Sequence, residues 1–144
     1  MKKAILILTM TLLNIGNIMA QKITNENDLK NFYMEYFSFD TVETEAQADS
    51  LVNAYCTKEL YTAWNREVNE VGLYDPLTNG FGDFETMRKT LVVKKETDCY
   101  VVSFNYVTWF DNKTLTESVI IYVNADGKIS HTKRPEDGLV IPSE

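Results

Sequence analysis

Near Lys89 the spacing of apolar residues changes from one in about 3.6 to one in two, and that single change limits the fold. Before it, Leu29, Phe32, Tyr33, Tyr36 and Phe37 recur at intervals of 3, 4, 7 and 8, one face of a helix starting near Asn27, with Asn25 and Asp28 as caps. Thr44 and Gln47 have capping-box spacing ahead of a second helix bearing Leu51, Val52 and Tyr55. Thr57 caps a third, carrying Leu60, Tyr61, Trp64, Val68 and Val71. Gly72 to Gly82 holds Pro76, Asn79, Gly80 and Gly82 and reads as loop.

After Lys89 the alternation is that of strands. Leu91 and Val93 lead, then Tyr100, Val102, Phe104 and Tyr106 face one way while Val101, Ser103, Asn105 and Val107 face the other. Asp111-Asn112-Lys113 turns the chain into a strand with Val119, Ile121 and Val123, and Asp126-Gly127 is a hairpin signal before Lys128–Lys133. The expectation is an α+β domain: N-terminal helices packed on a curved antiparallel sheet of about four strands. The aromatic Tyr100–Tyr106 face takes the helices, and the mixed Ser103/Asn105 face is left for water or a partner.

The N-terminus reads as a secretory signal peptide over 1–20, with Lys2 and Lys3, an apolar stretch from Ala4 to Leu13, and Ala20 before a hydrophilic chain. Asn14, Gly16 and Asn17 interrupt it short of the ~20 apolar residues that a membrane span needs. The expected product is one periplasmic or secreted domain over 21–144, with no membrane insertion after cleavage. Removing 1–20 takes away two Lys and no acid, leaving 12 basic against 21 acidic residues, a net charge of −9. That balance excludes nucleic acid and anionic membrane as partners, since both need a basic surface.

Cys56 and Cys99 are the two cysteines. In an oxidising compartment they can pair, closing a 43-residue loop worth roughly 4 kcal/mol. Alternatively Cys56 fills a helix end and Cys99 a strand. A catalytic thiol is disfavoured because His131 is the single histidine.

Three helices followed by a curled antiparallel sheet resemble the cone-shaped nuclear transport factor 2-like (cystatin-like) fold. Tyr55-Cys56-Thr57, the segment Tyr74-Asp75-Pro76-Leu77-Thr78-Asn79 with Asp83 beyond it, and Leu91-Val92-Val93 resemble the bacterial exported domain-of-unknown-function family 3828. The match spans most of residues 27–133. The resemblance implies a small exported domain without an established chemistry.

Enzymes of this shape use an acid or a His inside the cone to move a proton. The β-strand positions facing the cone hold Tyr and Phe instead, and His131 has no neighbouring carboxylate to orient it. No Gly-x-Ser-x-Gly elbow occurs. Asp75, Asn79 and Asp83 suggest Ca²⁺. Against an EF-hand loop, Asp75, Asn79 and Gly80 fit the first, fifth and sixth positions, but Leu77 and Thr86 fall where the third and twelfth ligands belong. An ordinary turn uses the same residues, and no metal or cofactor is expected. Tyr55, Trp64, Tyr106, Trp109 and Phe110 are candidates to contact a small apolar ligand or a protein, Trp109 and Phe110 standing beside a polar turn.

Asn112-Lys113-Thr114 is an N-glycosylation sequon, incidental in a bacterial chain, and Asp40-Thr41-Val42 is a candidate O-glycosylation acceptor at Thr41. The functional expectation is a non-catalytic binding domain. The alternatives are an immunity or inhibitor-type protein covering a basic partner, marked by acids clustered on one face, and an isomerase or dehydratase. The enzyme reading demands a buried acid facing a cavity beside a Tyr. The resemblance also implies that a homodimer can form through the outer sheet face, which would shield Val101, Val107 and Trp109.

Overall fold

The computed structural model describes residues 21–39, 41–72, 74–79 and 83–135. Residues 1–20, expected to be a signal peptide, Asp40 of the candidate Thr41 motif and Gly80 of the candidate metal loop lie outside them. Helix α1 (Glu26–Tyr36) is followed by a 3-10 turn (Val42–Thr44), α2 (Glu45–Tyr55) and α3 (Lys58–Asn65), which runs on as a π-helical stretch (Arg66–Val71). A short α4 (Phe84–Lys89) precedes β1 (Val92–Lys95), β2 (Tyr100–Val107), β3 (Thr114–Val123) and β4 (Ile129–Lys133). The strands pair antiparallel in the order β1-β2-β3-β4, so the α+β architecture is helices followed by an open four-strand meander.

The helix starts follow local chemistry. The Asn25 side chain accepts from Asp28 N, satisfying one free helix-end donor, and Asp28 Oδ2 in turn accepts from Thr24 N, ahead of the cap, at 2.9 Å. Thr57 Oγ1 accepts from Leu60 N to open α3. The Thr44 capping box does not form as expected: Thr44 Oγ1 turns back and donates to Thr41 O at 2.8 Å, serving the preceding turn instead. Sequence reading missed α4, whose signal is Asp83, a cap that accepts from Glu85 N and Thr86 N.

The core lies between helices and sheet. Leu29, Phe32 and Tyr33 of α1, Val52 of α2 and Trp64 of α3 bury against Val102, Phe104, Val119 and Ile121. Phe37 meets Phe104 edge-on at 5.5 Å between ring centroids, an arrangement that aromatic quadrupoles favour. Along the inner sheet face Val102 stands opposite Val119 and Tyr100 opposite Ile121, as period-2 alternation requires.

Two segments depart from the expected pattern. Residues 75–79 are loop but all buried, not a surface turn. Val101, on the outer sheet face, is also buried. At the N-terminus Ile23 is buried, donating its N–H to Gly127 O at 2.9 Å, so the chain is tied to the β3–β4 turn from its first described residues.

Candidate functional site

A loop that enters a core must find partners for its backbone, because buried amide groups left unbonded are costly. The 74–79 segment finds them in its own side chains and in α1. Asp75 Oδ1 accepts from Leu77 N at 2.9 Å, Asp75 O accepts from Thr78 N at 3.1 Å, and Tyr33 OH donates to Leu77 O at 2.8 Å. Leu77 is wholly buried and anchors the segment.

Asp75 is 2% exposed. Its Oδ2 accepts from Tyr36 OH at 2.8 Å, and the Tyr36 oxygen accepts from Trp64 Nε1 at 3.0 Å. Indole N–H can only donate, so the order Trp64 to Tyr36 to Asp75 is fixed and the carboxyl is its terminal acceptor. The Thr78 side chain also hydrogen-bonds the carboxyl. Burial pushes the Asp75 carboxyl up to about 6, against the opposing pull of Tyr36, Leu77 and Thr78. Burial, then the adjacent Asp75, holds the Tyr33 and Tyr36 hydroxyls well above the usual tyrosine range. Sequence reading missed this carboxyl–tyrosine pair because the acid comes from a loop, not from a strand facing the cone. The available signal was Leu77, an apolar residue within a turn-like segment.

The second feature is the tip of the β2–β3 hairpin. Trp109 is 91% exposed and Phe110 69%, their rings edge-to-face with centroids 5.7 Å apart. The turn that carries them is closed internally. Thr108 N donates to Lys113 O at 2.9 Å, Asn112 N to Thr108 O at 3.0 Å, and Lys113 N to Thr108 Oγ1 at 3.0 Å. Asn112 takes the left-handed conformation at φ 53°, one that Asn tolerates. Thr108 Oγ1 bonds the Asp111 carboxylate, which also pairs with Lys113 Nζ at 2.8 Å. Two large aromatics are thus held in water by a turn that its own hydrogen bonds close. On the inner face of the same hairpin, Leu115 stands opposite Tyr106 and is itself exposed.

The five candidate ligand residues therefore separate. Trp64 is a core residue, and Tyr55 packs against Phe32 at 5.1 Å. Tyr106 is half-buried against the core, one pair short of the turn end of the hairpin that carries Trp109 and Phe110. The three metal candidates have separate tasks: Asp75 bonds Tyr36, Asn79 Nδ2 donates to Ser118 O at 2.7 Å, and Asp83 caps α4. Among the described residues no group of three or more His, Cys, Asp or Glu could hold a metal ion. His131 is exposed on β4, 5.7 Å from the Tyr122 ring. Thr41 is exposed, its hydroxyl 3.2 Å from that of Thr44. Of the residues expected in a sheet-face dimer, Val101 is buried and Val107 half-buried, while Trp109 is open.

The disulfide considered for Cys56 and Cys99 is not made; both are free thiols. Cys56 bridges Ile129, beyond the β4 edge, whereas Cys99 leads into β2. Three strand spacings separate them, about 14 Å, against the roughly 4.4–6.8 Å between Cα atoms that a disulfide spans.

No protein family and no curated protein matches the chain. A crystal structure of a protein of unknown function from Bacteroides thetaiotaomicron VPI-5482 is similar, with 26% identity and a TM-score of 0.55 over 72% of this chain and 84% of that one. That likeness carries no activity with it.

Proposed function

We propose that the chain is an exported, non-catalytic binding domain of nuclear transport factor 2-like shape that engages a protein partner through the Trp109–Phe110 tip. The supporting observation is the exposure of both rings on a turn already closed by hydrogen bonds. An ordered turn has little conformational entropy left to lose on binding, and aromatic anchors supply most of the energy in protein interfaces. The edge-to-face pair forms a wedge, which suits a cleft better than a flat ligand. The enzyme alternative asks for a buried acid facing a cavity beside a Tyr; Asp75 is buried with Tyr36 beside it, and its carboxyl oxygens are taken up by Tyr36, Leu77 and Thr78.

A second reading, the immunity or inhibitor type, draws support from charge placement. Residues 26–71 hold ten acids and three bases, while residues 92–133 hold five of each. The negative charge thus belongs to the helical half, suited to a basic protein surface.

The test is photo-crosslinking in the native envelope from Phe110→p-benzoylphenylalanine, with Met34→p-benzoylphenylalanine on α1 as the control. The expected result is a discrete adduct from position 110 alone, competed by excess wild-type domain and not by Trp109→Ala. The same adducts from both positions, or none from 110, would overturn the proposal.

A further inference from the structure

The Asp75 carboxyl joins three parts of the fold: the 74–79 loop that carries it, α1 through Tyr36, and α3 through Trp64 beyond Tyr36. Each of its hydrogen-bond partners is an uncharged donor. A carboxylate held out of water by neutral donors alone is stabilised less than by the water it has left. Swinging the loop outward would restore that water. We infer that Asp75 is a proton-operated latch on the 74–79 loop: protonated, it keeps the loop docked, and ionised, it favours release of the loop into solvent.

Asp75 is the buried carboxyl at the loop; at the loop's outer end Glu117 of β3 accepts from Asn79 Nδ2 at 3.4 Å and pairs with Arg134, and both of them, with Glu67, act on Tyr74. Tyr33 and Tyr36 on α1, Cys56 at the end of α2 and Tyr74 on the loop all interact with Asp75 electrostatically. Burial raises each of these four, so all stay neutral in mildly acidic to neutral water. Trp64 does not titrate, and Lys128 acts on Cys56 and donates to Gln21 O and Ala54 O.

The sign follows from linkage. The docked carboxyl titrates near 6 and a solvated one near 3.8. Docking is therefore strongest below the lower value and weakens as pH rises toward the upper one, with no further change above it. The gap corresponds to an opening equilibrium larger by on the order of 100-fold at neutral pH than in acid. Release uncovers Leu77, the Tyr33 and Tyr36 hydroxyls and the Trp64 N–H, and detaches Asn79 from β3.

Native-state hydrogen exchange of the Leu77 and Thr78 amides, corrected for intrinsic rates and followed from pH 4 to 7, tests the latch. The expected result is an opening constant that rises on the order of 100-fold in wild type and stays flat in Asp75→Asn. An opening constant that is flat in wild type, or that rises equally in the variant, would overturn it. The carboxyl ¹³C shift of Asp75 in the wild-type protein gives a readout that does not depend on the variant folding. A midpoint near 6 supports the latch, and one at the ordinary aspartate value sinks it.

Discussion

Asn79 donates its side-chain amide to the Ser118 carbonyl at 2.7 Å, at the point where β4 stops covering β3. The register of the pair runs out at Lys133 opposite Ile120, and two residues further Pro135 would stand opposite Ser118. Proline has no N–H to give to that carbonyl. Asn79 supplies the missing donor from another element, and its own carbonyl oxygen accepts from Tyr74 OH at 3.0 Å. It does so from a left-handed backbone at φ 59°, which asparagine adopts more readily than most residues.

Asn79→Ala removes the donor and places a Cβ-bearing residue with no compensating side chain in the left-handed region. The expected loss is about 1–3 kcal/mol in urea unfolding. Asn79→Gly keeps the backbone conformation and loses only the amide, so it should fall between wild type and Ala. Equal stability of Ala and wild type would mean that the Ser118 carbonyl finds another donor.

Tyr36→Phe leaves two buried polar groups without their partner, the Trp64 N–H and Asp75 Oδ2. The expected cost is about 2 kcal/mol or more. Removing a donor to the carboxylate raises the Asp75 carboxyl further, so the penalty should be larger at pH 7 than at pH 4. Denaturant unfolding at the two pH values measures the difference. A penalty that shrinks with rising pH would show that Tyr36 does not serve the ionised carboxyl.

Helices and strands were legible because burial on one face imposes a period, and Leu29, Phe32, Tyr33 and Tyr36 or Tyr100, Val102 and Phe104 display it directly. Trp109 and Phe110 were legible as a candidate contact for the opposite reason: adjacent aromatics beside a polar turn cannot both face inward. The buried loop was not. Asp75, Pro76 and Asn79 have the composition of a surface turn, and their burial depends on the Tyr33 and Tyr36 hydroxyls, which arrive from about 40 residues away. Periodicity reports which face of an element is apolar and is silent on polar contacts between distant segments. The cysteines illustrate the same gap, since loop length says nothing about Cα separation.

Gly127→Ala tests how the N-terminal segment is held. Gly127 sits at φ 77°, and an added Cβ would lie 2.8 Å from Lys22 Cβ and 3.2 Å from Ile23 N. The backbone strain alone costs on the order of 1–3 kcal/mol, and relieving the contact means moving Ile23 out of the core. The expected result is a lower melting temperature and a cost that is less than additive with Ile23→Ala, because both changes loosen the same segment. Full additivity would separate the two residues energetically.

The thiols give the last prediction. Cys56 is buried, and burial pushes its thiol up to about 12, only partly offset by Lys128. The nucleophile is the thiolate, so Cys56 should be inert to alkylation in the folded protein. Cys99 is half-buried; partial burial with Glu96 and Asp98 raises it, so it should react slowly yet measurably. Iodoacetamide with mass detection should therefore find one modified cysteine in native protein and two in denaturant, without added reductant. Reaction at neither site until a reductant is supplied would instead mean that the two are joined, and that β4 and the end of α2 move far enough to close three strand spacings.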